Sequence, residues 1–322
     1  MSGYSTATIS RVITNKGNVR PETKEAIEKL LLEQNYRTNI MELRQARRKN
    51  TTIMIITGDI DNWYYMELIR ALSRALDKEG FSTLIAYTDN QTDKEERFLQ
   101  TAIEEDYAGA VFMNVSGSEN IKEILLKEQF PVVFLNRGIK LAYFNTVCND
   151  NYHGAYQATT YLIRKGHKRI GHLMGSVFSP AAIERRRGFS EAMEDHGILI
   201  TDHTIYQGHY NWESGYEYAE YIIKKHLDFT AVFLGNYQMT EGFQECMHIY
   251  GMRIPEDISI LCFDETPSMR RGKITTICAD PQKMSNSAIE LLLAEINGDT
   301  SGTKRIFQEP VLIERESVKQ LS

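Results

Sequence analysis

The feature that most constrains the fold is an alternation of short apolar runs with helical patterns, which occurs twice along the chain. Around helical patterns such as 66–80 and 93–106, the first series places IMIIT (53–57), STLIAYT (82–88), GAVFMNV (109–115) and PVVFLN (131–136). The second series contains RIGHLMG (169–175), HTIYQG (203–208), TAVFLGN (230–236) and ISILCFDE (258–265). Strands that alternate with helices form parallel sheets. We therefore predict an α/β body of two doubly wound parallel sheets, which bind ligands at the carboxyl ends of their strands.

Charge is distributed unevenly between the start of the chain and the rest. Residues 1–50 hold 10 Lys and Arg against 5 Asp and Glu, a net charge of +5, whereas the remainder holds 27 basic and 38 acidic residues, a net of −11. A basic head on an acidic body favours contact of the head alone with a polyanion such as DNA, although a solvated helical surface gives a milder version of the same pattern. Two helical patterns lie in this head, at 5–13 with Ser5 as N-cap and at 20–36.

Composition and motifs narrow the function. The four cysteines form no CxxC pair and lie in apolar strings, which is typical of reduced, buried thiols. We find no signal-peptide pattern and no apolar run near the ~20 residues that span a bilayer, and we therefore expect a cytoplasmic protein. No Walker loop, GxGxxG, GxSxG or HExxH motif is present, and His167 and His172 are expected to cap or pack. We predict no catalytic residues, no metal and no cofactor, with an enzyme of unrecognised motif as an alternative.

Several sequence segments, taken in their order along the chain, resemble those of a known family. STATISRVITNKGNVRPETKEAIEKLLLEQNYRTN resembles the DNA-binding head of the lactose/galactose repressor (LacI/GalR) family. Five further segments resemble the body of proteins in that family, namely GDIDNWYYMELIRAL, PVVFLNR, NDNYHGAYQATTYLIRKGHKRIGHLMG, ERRRGFSEAMEDHGI and ITTICADP. The resemblance implies a two-lobed periplasmic-binding-protein-like body preceded by a small all-helical helix-turn-helix head. It also implies a dimeric, effector-controlled transcription regulator.

The resemblance suggests domain boundaries. A partial helix-turn-helix head would span 1–37, a hinge segment 38–52, and an effector-binding and dimerisation domain 53–322. Lobe 1 would hold about 53–149 and 279–306, and lobe 2 would hold about 150–278 and 307–322. Family members place one more helix before the recognition helix, and we therefore expect Met1 to be an internal methionine of a longer chain. The alternative is a true truncation that binds effector but not DNA.

The resemblance also assigns DNA contact to residues of the head and hinge, namely Ser5, Thr6, Ala7, Thr8, Ser10, Arg11, Asn15, Asn18 and Gln45. Arg11 can make bidentate hydrogen bonds to guanine, whereas Thr6 and Ala7 can make only short contacts. Gln45 stands where the family wedges a Leu into the minor groove, and a Gln cannot compensate base unstacking with apolar contact. For the hydroxyl residues and asparagines, a solvated helix surface or a turn is the alternative interpretation.

A second set of family positions would bind the effector, namely Tyr64, Tyr65, Arg185, Tyr210, Asn236, Tyr237 and Asp264. Arg185 offers a fork of donors, and Asp264 accepts from sugar hydroxyls. Asn236-Tyr237 replaces the Asn-Asp that is usual in the family, which predicts a ligand larger or less hydroxyl-rich than a simple hexose. Core packing is the alternative for the aromatic residues, and it is the preferred interpretation for Trp63 and Trp212.

Together these observations predict a cytoplasmic homodimeric repressor whose affinity for double-stranded operator DNA changes when a small sugar-like molecule closes the cleft. The second copy is expected to meet the outer helices of lobe 1, including 66–80. The alternative is a solute-binding protein of a transport system without DNA-binding activity. The basic head and the absence of an export signal count against it.

Overall fold

The computed structural model describes residues 50–113, 118–136, 143–299 and 302–321. Within the first 49 residues it describes Tyr4, Ser5, Thr8, Val12, Arg20, Glu22, Thr23 and Ile27. Ser5 Oγ accepts a hydrogen bond from the Thr8 amide at 3.1 Å, which is the N-cap geometry predicted for this helix start. Val12 and Ile27, which lie on the predicted apolar faces, are buried.

Each predicted strand overlaps an observed one, and the first series gains β5 while the chain's last third gains β10, β11 and β12. The strands are β1 (Thr52–Thr57), β2 (Ser82–Tyr87), β3 (Gly109–Met113), β4 (Val132–Leu135), β5 (Asn145–Asn149), β6 (Ile170–Met174), β7 (Ile205–Gln207), β8 (Ala231–Leu234), β9 (Ser259–Phe263), β10 (Thr275–Cys278), β11 (Arg305–Gln308) and β12 (Val311–Ile313). The helices are α1 (Trp63–Lys78), α2 (Thr92–Glu104), α3 (Glu119–Glu128), α4 (Asn151–Arg164), α5 (Pro180–Asp195), α6 (Trp212–Lys224), α7 (Tyr237–Ile249), α8 (Pro267–Arg271) and α9 (Pro281–Ile296).

The first sheet has the strand order β11-β5-β4-β3-β1-β2, and its pairs are parallel. Alternate side chains of β1 point to opposite faces, as strand geometry requires. Ile55 packs in the core cluster that contains Leu68 of α1 and Leu292 of α9. Ile56 packs in the cluster that contains Leu99 of α2 and residues of α3. Both faces are covered by helices, which confirms the doubly wound architecture for this lobe.

The second sheet has the order β12-β10-β9-β8-β6-β7, and only β12 runs antiparallel to its neighbour. Residues of α6 and α7 cover the face that carries Val232. Residues of α4 and α5 cover the face that carries Phe233. The α/β prediction of two parallel sheets is therefore confirmed.

The chain passes between the two lobes at three places within the described residues: between β5 and α4, between β10 and α9, and between β11 and β12. Phe307 and Gln308 pair with Cys148 and Asn149 in the first sheet. The first sheet thus includes Gln308, close to the lobe boundary expected at about 306. Crossings this short keep the strand ends of the two sheets close to one another.

Helix α1 shows how local sequence positions the side chains near these crossings. The Asn62 side chain accepts a hydrogen bond from the Tyr64 amide at 3.0 Å and caps the helix, and Gly80 follows its end with φ of +80°. Leu68 and Leu72 are fully buried in the first lobe, whereas Arg70 and Arg74 are exposed. The outer surface of α1 is therefore charged rather than apolar.

Within the part of the chain that is described, no helix combines the length and the apolar character needed to cross a membrane.

Candidate ligand site between the two sheets

Five of the predicted ligand-binding residues lie at the carboxyl-end edge of the second sheet. Arg185 is on α5, which follows β6; Tyr210 follows β7; Asn236 and Tyr237 follow β8; and Asp264 follows β9 directly. The Asn236 side-chain amide donates to the Tyr210 carbonyl at 3.0 Å, and the Tyr237 amide donates to Asp264 Oδ2 at 3.4 Å. The fold thus gathers groups from four sequence-distant segments at one edge, where open parallel sheets bind ligands.

Arg185 is buried but is partly committed to the protein. Its Nε donates to Asn151 Oδ1 at 2.9 Å, and its Nη1 donates to the Gly235 carbonyl. The guanidinium lies 3.5 Å from the ring centroid of Phe263 and 5.9 Å from that of Tyr210. Among the described residues Nη2 has no hydrogen-bond acceptor. Arg185 therefore links α4 and α5 to the end of β8 while one donor group stays available to a ligand.

Asp264 is the least satisfied charge of the site. Its side chain is 6 % exposed, and the Tyr237 amide is the one hydrogen-bond donor to its carboxylate among the described residues. Burial raises the pKa of Asp264 to about 6, and the nearby Arg185 charge opposes this rise only in part. Its φ of +138° lies in the region that favours glycine, and such strained backbone clusters at ligand sites. A buried carboxylate in this state is stabilised when a ligand supplies donors.

Tyr210 contributes an aromatic face. Its φ of +63° is left-handed, and Asn236 holds the backbone there through the carbonyl hydrogen bond. The ring lies against Gly175, at the end of β6, where any Cβ atom would overlap it. Burial raises the pKa of Tyr210, and its hydroxyl stays protonated at neutral pH. A flat ring beside a guanidinium and a carboxylate suits the apolar face of a sugar.

Asn236 has a structural task in addition to its predicted one. Its Oδ1 accepts from the Met239 amide at 2.9 Å and caps α7, while Nδ2 donates to Tyr210 and to Gln238 Oε1. These bonds use the acceptor and both donors of the amide. A ligand contact by Asn236 stays a prediction.

Tyr237 reaches across to the first lobe. Its hydroxyl accepts a hydrogen bond from the Trp63 amide at 3.2 Å and lies 3.4 Å from the Asp61 carbonyl, to which it donates. The side chain is buried, and burial raises its pKa. The aromatic residue that replaces the expected carboxylate thus spans the space between the lobes, and the size of the ligand stays a prediction.

Comparison with known proteins identifies the chain. Residues 1–39 match the family described as bacterial regulatory proteins, lacI family, and residues 159–318 match the periplasmic binding protein-like domain. The chain is 29 % identical to catabolite control protein A of Priestia megaterium, over 99 % of this chain and 97 % of that protein. It is also 29 % identical to the HTH-type transcriptional repressor PurR of Pasteurella multocida, over 99 % and 96 %. The chain belongs to the lacI family of bacterial regulatory proteins.

The fold of this lacI-family protein is similar to that of a solved structure. A complex of the transcriptional regulator CelR with cellobiose superposes with a TM-score of 0.75, covers 98 % of this chain and 97 % of that chain, and is 24 % identical. The predicted head and two-lobed body are thereby confirmed. The relatives that match along the chain are regulators and not enzymes. The protein is a DNA-binding transcriptional regulator.

Of the two first-lobe tyrosines of this lacI-family regulator, Tyr64 lies close enough to the site for the Asp264 charge to contribute to the rise of its pKa, although burial is the main cause. Tyr64 is buried in the first-lobe core, and its hydroxyl donates to Asn149 Oδ1 at 3.1 Å. It also lines a cavity of about 410 Å³, which is bounded by α1, the 278–282 crossing and β12. Tyr65 packs edge-to-face on Tyr64 at 5.8 Å. Tyr64 therefore serves the first-lobe core, and ligand contact by either residue stays a prediction.

Trp63 is the residue whose role the sequence did not reveal. Core packing was the preferred interpretation for it, but its side chain packs against the core cluster of the other lobe. Its position in a run of three aromatic residues gives no signal of this, because helical periodicity assigns a face only within one lobe.

The remaining predicted residues fall into two groups. Of the DNA-contact set, Ser5 and Thr8 are described and bond to each other, with their hydroxyls 2.8 Å apart. The others lie outside the described residues, namely Thr6, Ala7, Ser10, Arg11, Asn15, Asn18 and Gln45. His167 bonds to the Thr230 hydroxyl at 2.9 Å, while His172 is stacked between two phenylalanines inside β6. Both histidines serve the second-lobe interior.

Proposed function

We propose that a small sugar-like molecule, bound between the two lobes, controls the affinity of this regulator for operator DNA, and that the protein acts as a cytoplasmic repressor. The observation that carries the proposal is Asp264, a buried carboxylate with one long hydrogen bond from the Tyr237 amide. Burying such a charge costs free energy unless partners neutralise it. Ligand hydroxyls are partners of the required kind.

The surrounding groups support the same ligand class. Arg185 adds a donor beside the Asp264 acceptor, and the Tyr210 ring adds a flat apolar surface. Adjacent acceptors, donors and an aromatic face are what a polyhydroxylated ring needs. The similar fold of CelR in complex with cellobiose, a disaccharide, points in the same direction. The repressor role is supported by the relative PurR, which is named a repressor.

Calorimetric titration of the full chain with a panel of mono- and disaccharides tests the ligand. We expect at least one saccharide to bind, and Arg185→Ala to raise its Kd about 30-fold, the loss of roughly 2 kcal/mol that accompanies a removed charged hydrogen bond. Arg187→Ala is the matched control, because Arg187 is exposed and pairs with Glu184 at 2.9 Å. Equal Kd values for the two variants would place the ligand elsewhere.

Operator binding is tested separately. Selection from a random duplex library gives a DNA probe, and the saccharide found by calorimetry is then added at fixed salt concentration. The proposal requires the Kd for DNA to change, because an effector acts only by binding two states unequally. Unchanged DNA affinity at saturating saccharide would show a binding protein without regulatory coupling.

We further propose that the functional unit is a homodimer that pairs through the edge strand β2. Leu84 and Ile85 are 40 % and 49 % exposed on this edge, and Tyr87 is exposed beside them. An exposed apolar edge strand is a template for pairing with a second copy. We expect Ile85→Lys to give monomers in sedimentation, whereas Leu126→Lys on α3 should not, although Leu126 is also 49 % exposed. Dimers of the Ile85 variant would refute this interface.

A further inference from the structure

Two aromatic side chains join the lobes next to the proposed effector site. Trp63 is the first residue of α1 in the first lobe, yet its side chain packs against the second-lobe core cluster that contains Tyr237. The Arg70 guanidinium lies 4.9 Å from the Trp63 ring and covers it. The indole therefore belongs by sequence to one lobe and by packing to the other.

The Tyr237 hydroxyl completes this junction from the opposite side. It accepts from the Trp63 amide at 3.2 Å and donates to the Asp61 carbonyl at 3.4 Å. The Trp63 amide is in the first turn of α1, where an N–H group has no acceptor within its own helix. Tyr237 in turn is the first residue of α7. One hydroxyl thus connects the N-terminal ends of two helices that belong to different lobes.

The junction also contains a buried polar group without a partner in the described part of the chain. Trp63 Nε1 is buried and has no hydrogen-bond partner among the described residues. A buried donor without an acceptor is unfavourable, and separation of the lobes would return it to water. The Tyr237 hydrogen bonds favour closure, and the indole N–H opposes it. Opposed contributions of this kind keep two states close in free energy.

We propose that Trp63 and Tyr237 are positioning residues that hold the lobes together before any effector arrives. The proposal rests on the proposed function only in taking the closed cleft as the effector-binding form. The apparent affinity of a ligand falls with the fraction of protein in its binding-competent state. The tie between Trp63 and Tyr237 therefore raises effector affinity without the Tyr237 hydroxyl touching the effector.

The first test needs no effector. Trp212→Phe leaves Trp63 as the only tryptophan of the chain. In this background, adding Tyr237→Phe should shift Trp63 emission to longer wavelength and increase its quenching by acrylamide. Hydrogen exchange of the Trp63 amide should become about tenfold faster, because exchange follows local opening. Tyr218→Phe is the matched control, since this hydroxyl is buried in the same lobe and has no partner among the described residues.

Identical emission, quenching and amide exchange for the parent and the Tyr237→Phe variant would overturn the tie, whether or not a saccharide binds. Changes in these three readouts support the tie even if no saccharide in the panel binds, in which case the proposed function alone fails. Where a saccharide does bind, its Kd should rise about three- to tenfold in Tyr237→Phe, in line with a smaller closed fraction.

Discussion

Two neighbouring carboxylates follow β9, Asp264 and Glu265, and their surroundings differ sharply. Asp264 receives one hydrogen bond, from the Tyr237 amide at 3.4 Å. Glu265 receives two from the Arg315 guanidinium, at 2.8 and 2.9 Å, one from the Thr276 hydroxyl, and an ion pair from Arg270 at 3.1 Å. The Glu265 carboxylate thus has several hydrogen-bond and ion-pair partners, whereas the Asp264 carboxylate has one hydrogen-bond donor among the described residues.

The contrast separates structure from function within a single dipeptide. Arg315 is paired bidentately with Glu265, whereas Arg185 lies near Asp264 without an ion pair to it and bonds instead to Asn151 and Gly235. A saturated pair fixes the fold around it. An arginine and a carboxylate that are buried side by side but not joined retain capacity for a third molecule. The first arrangement should respond to mutation through stability and the second through ligand affinity.

The largest expected effect is the loss of stability when the Arg315–Glu265 pair is removed. Arg315→Ala removes the bidentate pair and leaves the partly buried Glu265 without its main partner. We expect the free energy of unfolding, measured by urea titration, to fall by about 3 kcal/mol or more. Saccharide affinity of the folded variant should stay within about threefold of the parent, since Arg315 bonds to Glu265, Ile274 and Thr276 and not to Arg185 or Asp264. A variant that is stable but does not bind saccharide would break the comparison.

The pH dependence of the free energy of unfolding tests the assignment of Asp264 as the carboxylate with few partners. Burial raises the Asp264 pKa to about 6, so its ionisation destabilises the folded state as pH rises from about 4 to 6. Burial lowers the His172 pKa to about 4, so its protonation destabilises the folded state as pH falls from 6.5 to 4. The two contributions oppose each other in the parent protein. In Asp264→Asn only the histidine remains, and stability should gain about 3 kcal/mol more than the parent does between pH 4 and 6.5. Parallel profiles would contradict this assignment.

The smallest effect concerns the aromatic face. Gly175→Ala places a methyl group in the position of the Tyr210 ring and should displace it. We expect saccharide Kd to rise about tenfold and stability to fall by roughly 1 to 3 kcal/mol, as for an overpacked site. Gly171→Ala is the control, because its added methyl would overlap the buried Tyr218 hydroxyl away from the ligand site. It should lower stability without changing Kd; equal losses of affinity would mean that the Tyr210 ring is not a ligand surface.

The sequence carried enough information for the sheets but not for every contact between them. Buried parallel strands read as continuous apolar runs, and those runs appear where β1 and β8 form. The short strand β11, with exposed Phe307, has no such run and could not be recognised. The choice of Arg185 and Asp264 as site residues followed from the family resemblance. Their hydrogen bonds did not, because a partner such as Asn151 is chosen by the meeting of distant segments.

The same limit explains the junction residues. Helical periodicity places Trp63 at the start of α1, but which lobe buries the indole depends on the crossing of the chain between lobes. The expectation that replacing a carboxylate with Tyr237 favours a larger ligand was made from the second lobe alone, and it stays a prediction. In the folded protein the phenol hydroxyl bonds to the first lobe. The bonds of Arg185 to Asn151 and Gly235 likewise depend on contacts between distant segments, and they predict a measurable loss of stability when the side chain is truncated.

The most direct measurement of the central claim, that Asp264 is kept under-satisfied for a ligand, is Asp264→Asn examined by calorimetric titration and by unfolding without ligand at pH 7.5. An asparagine of the same shape cannot ionise, so the penalty of a buried charge is removed. We predict opposite signs: the free energy of unfolding increases by about 2 to 3 kcal/mol, and saccharide Kd rises about 30-fold. A variant that is less stable than the parent and binds saccharide equally well would show that Asp264 serves the fold.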